Sequence, residues 1–122
     1  MRETIIKQKL EAVFFKTDAG AEPVREWLKE QSLQDKKNIG EDILTVQYGW
    51  PLGMPLVKNM GQGLWEIRSN LPTNKIARII FFMDMGVMIL VHGFIKKTQK
   101  TTPGDITLAQ QRKRQYEVKH DR

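Results

Sequence analysis

The alternation of apolar and polar positions changes period several times along the chain, and each change predicts an element. Leu10 to Lys16 (LEAVFFK) has the β-branched and aromatic content of a short strand, closed by Thr17-Asp18-Ala19-Gly20. Pro23 suits a first helical turn, and Val24, Trp27 and Leu28 at i, i+3, i+4 give that helix an apolar face. Ser32, with Asp35 three residues on, starts a second helix that runs to about Tyr48 and buries Ile39, Ile43 and Val46. From Gly49 to Gly63 the chain (GWPLGMPLVKNMGQG) has the two prolines and four glycines of a long loop. A three-stranded meander follows over 64–71, 75–83 and 87–95, with turns at Pro72-Thr73-Asn74 and Asp84-Met85-Gly86. Thr102, Pro103 and Asp105 then supply an N-cap, an N1 proline and an N3 acid for a last helix. The order β-α-α-β-β-β-α predicts an α+β fold in one domain, residues 1–122. It has a small antiparallel sheet, an N-terminal helical hairpin and a C-terminal basic helix.

Period-two alternation also decides which polar side chains share a face. Glu66 and Arg68 fall together with Leu64, Arg78 with Ile80 and Phe82, and His92 with Leu90, Phe94 and Lys96. With turns centred on residues 72 and 85, Glu66 lies across from Arg78 and Arg78 across from His92, so these groups converge at one end of the sheet. A one-residue slip would flip a strand and dissolve the cluster. Arg78 interrupts an otherwise apolar strand (KIARIIFFM), and two readings are open: a buried partner of Glu66, or a phosphate-binding group.

Composition narrows the chemistry. The chain has 122 residues and no cysteine, which excludes a disulfide scaffold, a thiolate zinc site and a cysteine nucleophile. Two histidines, His92 and His120, are too few for a histidine-rich metal site, and nothing in the pattern calls for a cofactor. Met1 to Leu10 lacks the apolar core of a secretory signal, and the greasiest stretch, Ile76 to Ile95, carries too many interruptions to span a membrane. A cytoplasmic protein without membrane attachment is expected.

The net charge is +6, and residues 92–122 hold +5 of it (8 basic, 3 acidic), which favours a polyanion or an acidic partner. Gly61-Gln62-Gly63 lacks the context of a nucleotide loop and suits a hairpin instead. Trp27 and Trp65 are expected in the core, while Trp50 is open to stacking on bases. Glu41-Asp42 is a solvent-facing pair rather than a glycosidase dyad.

Several of these pieces recur together elsewhere. The run GLWEIRSNLPTNKIARIIFFMDMGVMILVHGFIKKTQKTTPGDITLAQQRKRQYE resembles the phage-derived, HigB-like toxins of the RelE/ParE superfamily. The likeness rests on LWEIR, on RIIFF, on LVHGFIKKTQKTTP and on the basic final helix, and extends over about residues 10–117. The resemblance implies a RelE-like fold and the toxin of a type II toxin–antitoxin system. Such a toxin would be an endoribonuclease (messenger RNA interferase) that cuts messenger on the ribosome and so inhibits translation. Its partners would be a cognate antitoxin of the helix-turn-helix kind, the ribosome and messenger RNA. It further implies that Arg78 holds the scissile phosphate, with Arg68, Lys96 and Lys97 adding positive charge. A C-terminal tyrosine of some relatives is missing, and Tyr116 lies too far into the helix to replace it.

Metal-independent cleavage by the substrate's own 2′-OH needs in-line positioning and proton transfer. His92, whose side-chain type has an ordinary pKa of about 6.5, suits acid or base. Lys58 in the long loop, with Lys100, Arg112, Lys113 and Arg114, would grip RNA without reading its sequence. On this reading Arg78→Ala abolishes toxicity in a chain that still folds. Two alternatives stay open: a ParE-like gyrase inhibitor, and an RNA-binding relative without activity.

Overall fold

The computed structural model describes residues 9–96 and 100–120. Its elements are β1 (Glu11–Phe14), α1 (Pro23–Lys29), α2 (Leu33–Gly49), β2 (Val57–Gly61), β3 (Leu64–Asn70), β4 (Ile76–Asp84), β5 (Val87–Lys96) and α3 (Pro103–Lys119). The fold is α+β, with a five-stranded sheet in the order β1-β5-β4-β3-β2. Among the described residues three helices cover it, and none is long and apolar enough to cross a membrane.

Two expectations need correction. The sheet is mixed rather than antiparallel, because β1 pairs with β5 in parallel, Glu11 opposite Val87 and Phe14 opposite Leu90. Parallel pairing needs a long crossover, and the α1–α2 hairpin with the meander supplies one. The predicted loop also contains a strand: β2 forms a hairpin with β3 around Gly61-Gln62-Gly63, all three at positive φ. Two nearby prolines and a bulge between Asn59 and Gly61 mask the alternation of this edge strand.

The helix starts follow their caps. Ser32 Oγ accepts from the Asp35 N–H at 3.1 Å, and Thr102 Oγ1 accepts from the Asp105 N–H at 3.3 Å. On one side of the sheet Val24, Ile39, Ile43 and Val46 from α1 and α2 pack on Ile67, Ile79, Phe81 and Leu90. On the other side Ala109 of α3 packs with Leu64, Ile80, Phe82, Ile89 and Val91.

Trp27 lies so close over β5 that a Cβ on Gly93 would stand 2.4 Å from its ring. Trp50, expected to be open, instead meets Trp65 and Phe81 edge-on at 5.1 and 5.5 Å in the first core. Of the Glu41-Asp42 pair, Glu41 is exposed but Asp42 is half-buried and accepts from Ser69 Oγ at 2.5 Å.

Register decides what reaches the sheet end. Arg68 stands opposite Arg78, Glu66 opposite Ile80, Arg78 opposite Phe94 and Ile80 opposite His92. The expected direct pairs are thus offset by two residues, which preserves the face and turns direct partners into diagonal neighbours. The β3–β4 turn centres on Thr73 rather than Pro72, with Asn70 opposite Ile76 and Asn74 at φ 60°. Between β4 and β5 a bulge at Val91 separates Ile80–His92 from Phe81–Leu90. Leu90, expected beside His92, therefore belongs to the opposite core, while Ile89 and Val91 face α3.

Candidate functional site

At the end of the sheet where β5 leaves for α3, the polar groups form two adjoining networks. The inner one is buried. Arg78 and Glu66 are fully buried, with Arg78 Nη1 at 3.4 Å from Glu66 Oε1. Thr101, from the segment before α3, accepts from Arg78 Nη1 at 3.1 Å and donates to Glu66 Oε2. Arg68 Nε donates to Glu66 Oε1 at 3.0 Å from the neighbouring β3 position. One carboxylate thus receives two guanidiniums and a hydroxyl, the dense hydrogen bonding that a buried charge requires. Burial pulls the Arg78 guanidinium below its ordinary pKa; Glu66 opposes that shift and Arg68 adds to it. It remains a cation at any physiological pH.

The outer network is partly exposed and has Asp105 at its centre. As the N3 residue of α3, Asp105 receives His92 Nε2 on Oδ1 at 2.8 Å. Its Oδ2 receives the Thr102 hydroxyl at 2.5 Å and Lys96 Nζ at 3.4 Å. The His92 ring stacks on Phe94 with centroids 5.0 Å apart, and Lys96 Nζ lies 5.8 Å from that same ring. Burial pushes the Asp105 carboxyl pKa up, but the hydrogen bonds from Thr102 and His92 and the nearby positive charge outweigh it, so the net shift is downward. The side chains of His92 and Lys96 are 14% and 27% exposed, which makes this network the one that solvent and ligands can touch.

The site residues expected from sequence therefore divide. Arg68, Arg78, His92 and Lys96 do gather at one sheet end, but Arg78 is sealed beneath Thr101 and Glu66. Replacing it with alanine would take one of two guanidiniums from a buried carboxylate, so that variant tests folding as well as chemistry, contrary to the expectation of an intact fold. Arg68 turns along the sheet edge into a cleft shared with Asn38, Glu41 and Asp42. Lys97 lies outside the described residues.

The expected RNA-binding residues differ in exposure and in partners. Lys58 is on β2 rather than in a loop, opposite Glu66. Lys100 and Arg114 are exposed. Arg112 turns inward to donate to the Val91 carbonyl at 2.8 Å, clamping the bulge, and burial lowers its pKa. Lys113 pairs with Glu117 at 2.7 Å and lies over Phe82. Tyr116 donates to Asp84 at 2.7 Å, at the opposite end of β4 from Arg78.

Sequence reasoning missed Thr101 and the second use of Asp105. The signal for Asp105 was visible as a helix N3 acid, but alternation along strands cannot show that a helix start will fold back onto them. Among the described residues no group of three or more His, Cys, Asp or Glu could hold a metal ion.

A search of curated proteins finds no match. The family model of the phage-derived Gp49-like proteins (DUF891) matches residues 26–114, which include α2, the whole meander and most of α3. The strand row bearing Glu66, Arg78 and His92, with the helix start that brings Asp105 to it, thus falls inside the matched region, and the chain belongs to the Gp49-like phage-derived family, which is related to the RelE/HigB-type toxins.

Proposed function

We propose that the chain is the toxin of a type II toxin–antitoxin system and acts as a ribosome-dependent messenger RNA endoribonuclease. Membership of a family related to RelE/HigB-type toxins supports the toxin reading. The observation that carries the chemistry is the partly exposed row of His92 and Lys96 on β5, held by Asp105 beside a buried arginine–glutamate lattice. An imidazole with a neighbouring ammonium is a suitable pair for cleaving RNA through its own 2′-OH.

In the proposed reaction His92 removes the 2′-OH proton and the 2′ oxygen bonds to the adjacent phosphorus. Lys96, with Lys97 next in sequence, offsets the charge on the phosphorane. The P–O5′ bond breaks, the 5′ oxygen takes a proton from a lysine or from the imidazolium, and a 2′,3′-cyclic phosphate remains. Arg78 fixes Glu66 and Thr101 and, through them, the approach to α3, rather than touching the phosphate in this conformation. Lys100 and Arg114 supply contacts to the ribosomal RNA backbone, and an antitoxin bound to the toxin in the cell would keep it silent.

Mapping 5′ ends of cellular messages after induction tests this reading. Codon-phased breaks are expected. Arrested growth with unbroken messages and gyrase-dependent DNA breaks would replace it with the gyrase-poison reading, and harmless overexpression with an inactive relative.

A further inference from the structure

We propose that Asp105 is a positioning residue for His92, holding the Nε2–H and turning Nδ1 outward as the proton acceptor for the 2′-OH. The inference rests on the ribonuclease reading and adds a residue and a ring orientation to it. Two contacts at right angles in function define the imidazole. Stacking on Phe94 sets the plane of the ring, and the 2.8 Å contact from Nε2 to Asp105 Oδ1 sets its rotation within that plane.

Asp105 is itself immobilised, because its backbone begins α3 and its second oxygen holds the Thr102 hydroxyl at 2.5 Å and Lys96 Nζ at 3.4 Å. Both groups on Oδ2 are donors, so the carboxylate acts as an acceptor throughout and Nε2 must carry the proton. The other ring nitrogen is then the basic one. A clamp that merely fastened α3 to β5 is already supplied by the bond from Arg112 to the Val91 carbonyl; the Asp105 bond adds orientation to a group that is 14% exposed.

The test uses the full chain with programmed ribosomes and four proteins: wild type, Asp105→Asn, His92→Gln and the double variant. Asparagine keeps an oxygen acceptor at the same place and removes the charge. Asp105→Asn should lower kcat by about tenfold or more with KM within about twofold, and should add nothing in the His92→Gln background. In a separate measurement on isotope-labelled full chain, a one-bond 15N–1H correlation from His92 Nε2 is expected in the wild type and lost in Asp105→Ala. A cleaving wild type in which Asp105→Asn costs as much kcat with His92→Gln as without it overturns the inference and spares the ribonuclease reading. A wild type that shows the Nε2–H correlation but cleaves nothing overturns that reading, and with it the catalytic use of the pair. A cleaving wild type whose correlation comes from Nδ1 overturns the ring assignment.

Discussion

Removing Arg78 should cost the fold more than any surface substitution, because it leaves Glu66 buried without its nearest fully buried cation. Both side chains are fully buried, and among the described residues Glu66 keeps Arg68 at 3.0 Å and the Thr101 hydroxyl once Arg78 is gone. Breaking a buried pair from one side costs about 3–5 kcal/mol, whereas replacing both partners with apolar side chains of similar volume is often neutral. The surviving Arg68 contact places Arg78→Met at the lower end, about 3 kcal/mol. With a urea dependence of about 1.5 kcal/mol per molar, the unfolding midpoint should fall by about 2 M. Glu66→Leu should do comparable damage by removing the buried carboxylate that faces the Arg78 guanidinium. The Glu66→Leu/Arg78→Met double variant should be no less stable than either single variant, which corresponds to a coupling of about 3 kcal/mol. Urea unfolding followed by tryptophan fluorescence is a direct assay, since Trp65 is on the same strand as Glu66. A loss below about 1 kcal/mol for Arg78→Met, or additive single effects, would refute the argument that the pair is an interdependent buried unit.

Other expectations follow from the same contacts. The Asp105 carboxyl titrates lower folded than its unfolded value of about 4, so its contribution to stability is full above that value and is lost as pH falls through the folded pKa; Asp105→Asn should flatten that part of an acid-unfolding curve. Gly93→Ala puts a methyl 2.4 Å from the Trp27 ring and should cost about 1–3 kcal/mol in thermal or urea unfolding, with most of it relieved in the Trp27→Ala background. Arg112→Met should destabilise by about 1–3 kcal/mol through loss of the bond to the Val91 carbonyl, whereas Arg114→Ala should leave stability within about 0.5 kcal/mol and weaken ribosome binding in a salt-dependent way.

Much of the fold was legible because local signals agreed with one another. Ser32 and Thr102 cap the helices they were expected to cap, and Ile39, Ile43 and Val46 are buried as their spacing implied. The face shared by Glu66, Arg68, Arg78, His92 and Lys96 survived a misplaced register, because the displacement was two residues and side-chain direction repeats every two. What escaped was non-local. The parallel pairing of β1 depends on a partner more than seventy positions away, and β2 hides its alternation behind two prolines and a bulge. The bulge at Val91 moved Leu90 to the other core, and no residue type there announces it.

The site was half legible for the same reason. Strand periodicity could assemble the arginines, the glutamate and the histidine, but the segment that seals one network and centres the other comes from the start of α3. Thr101 and Asp105 enter only through the path of the chain after β5. The start of α3 also leaves Arg78 buried, which is one of the two readings the sequence left open, and leaves His92 and Lys96 partly exposed.

The most direct measurement of the central claim is cleavage of one defined messenger by the purified full chain, with and without ribosomes. The expected result is cutting only on the ribosome, with a 2′,3′-cyclic phosphate on one product and a 5′ hydroxyl on the other, and cutting slowed by about a hundredfold or more in His92→Gln. An intact messenger on translating ribosomes would contradict the claim, and undiminished cutting by His92→Gln would remove His92 from the chemistry.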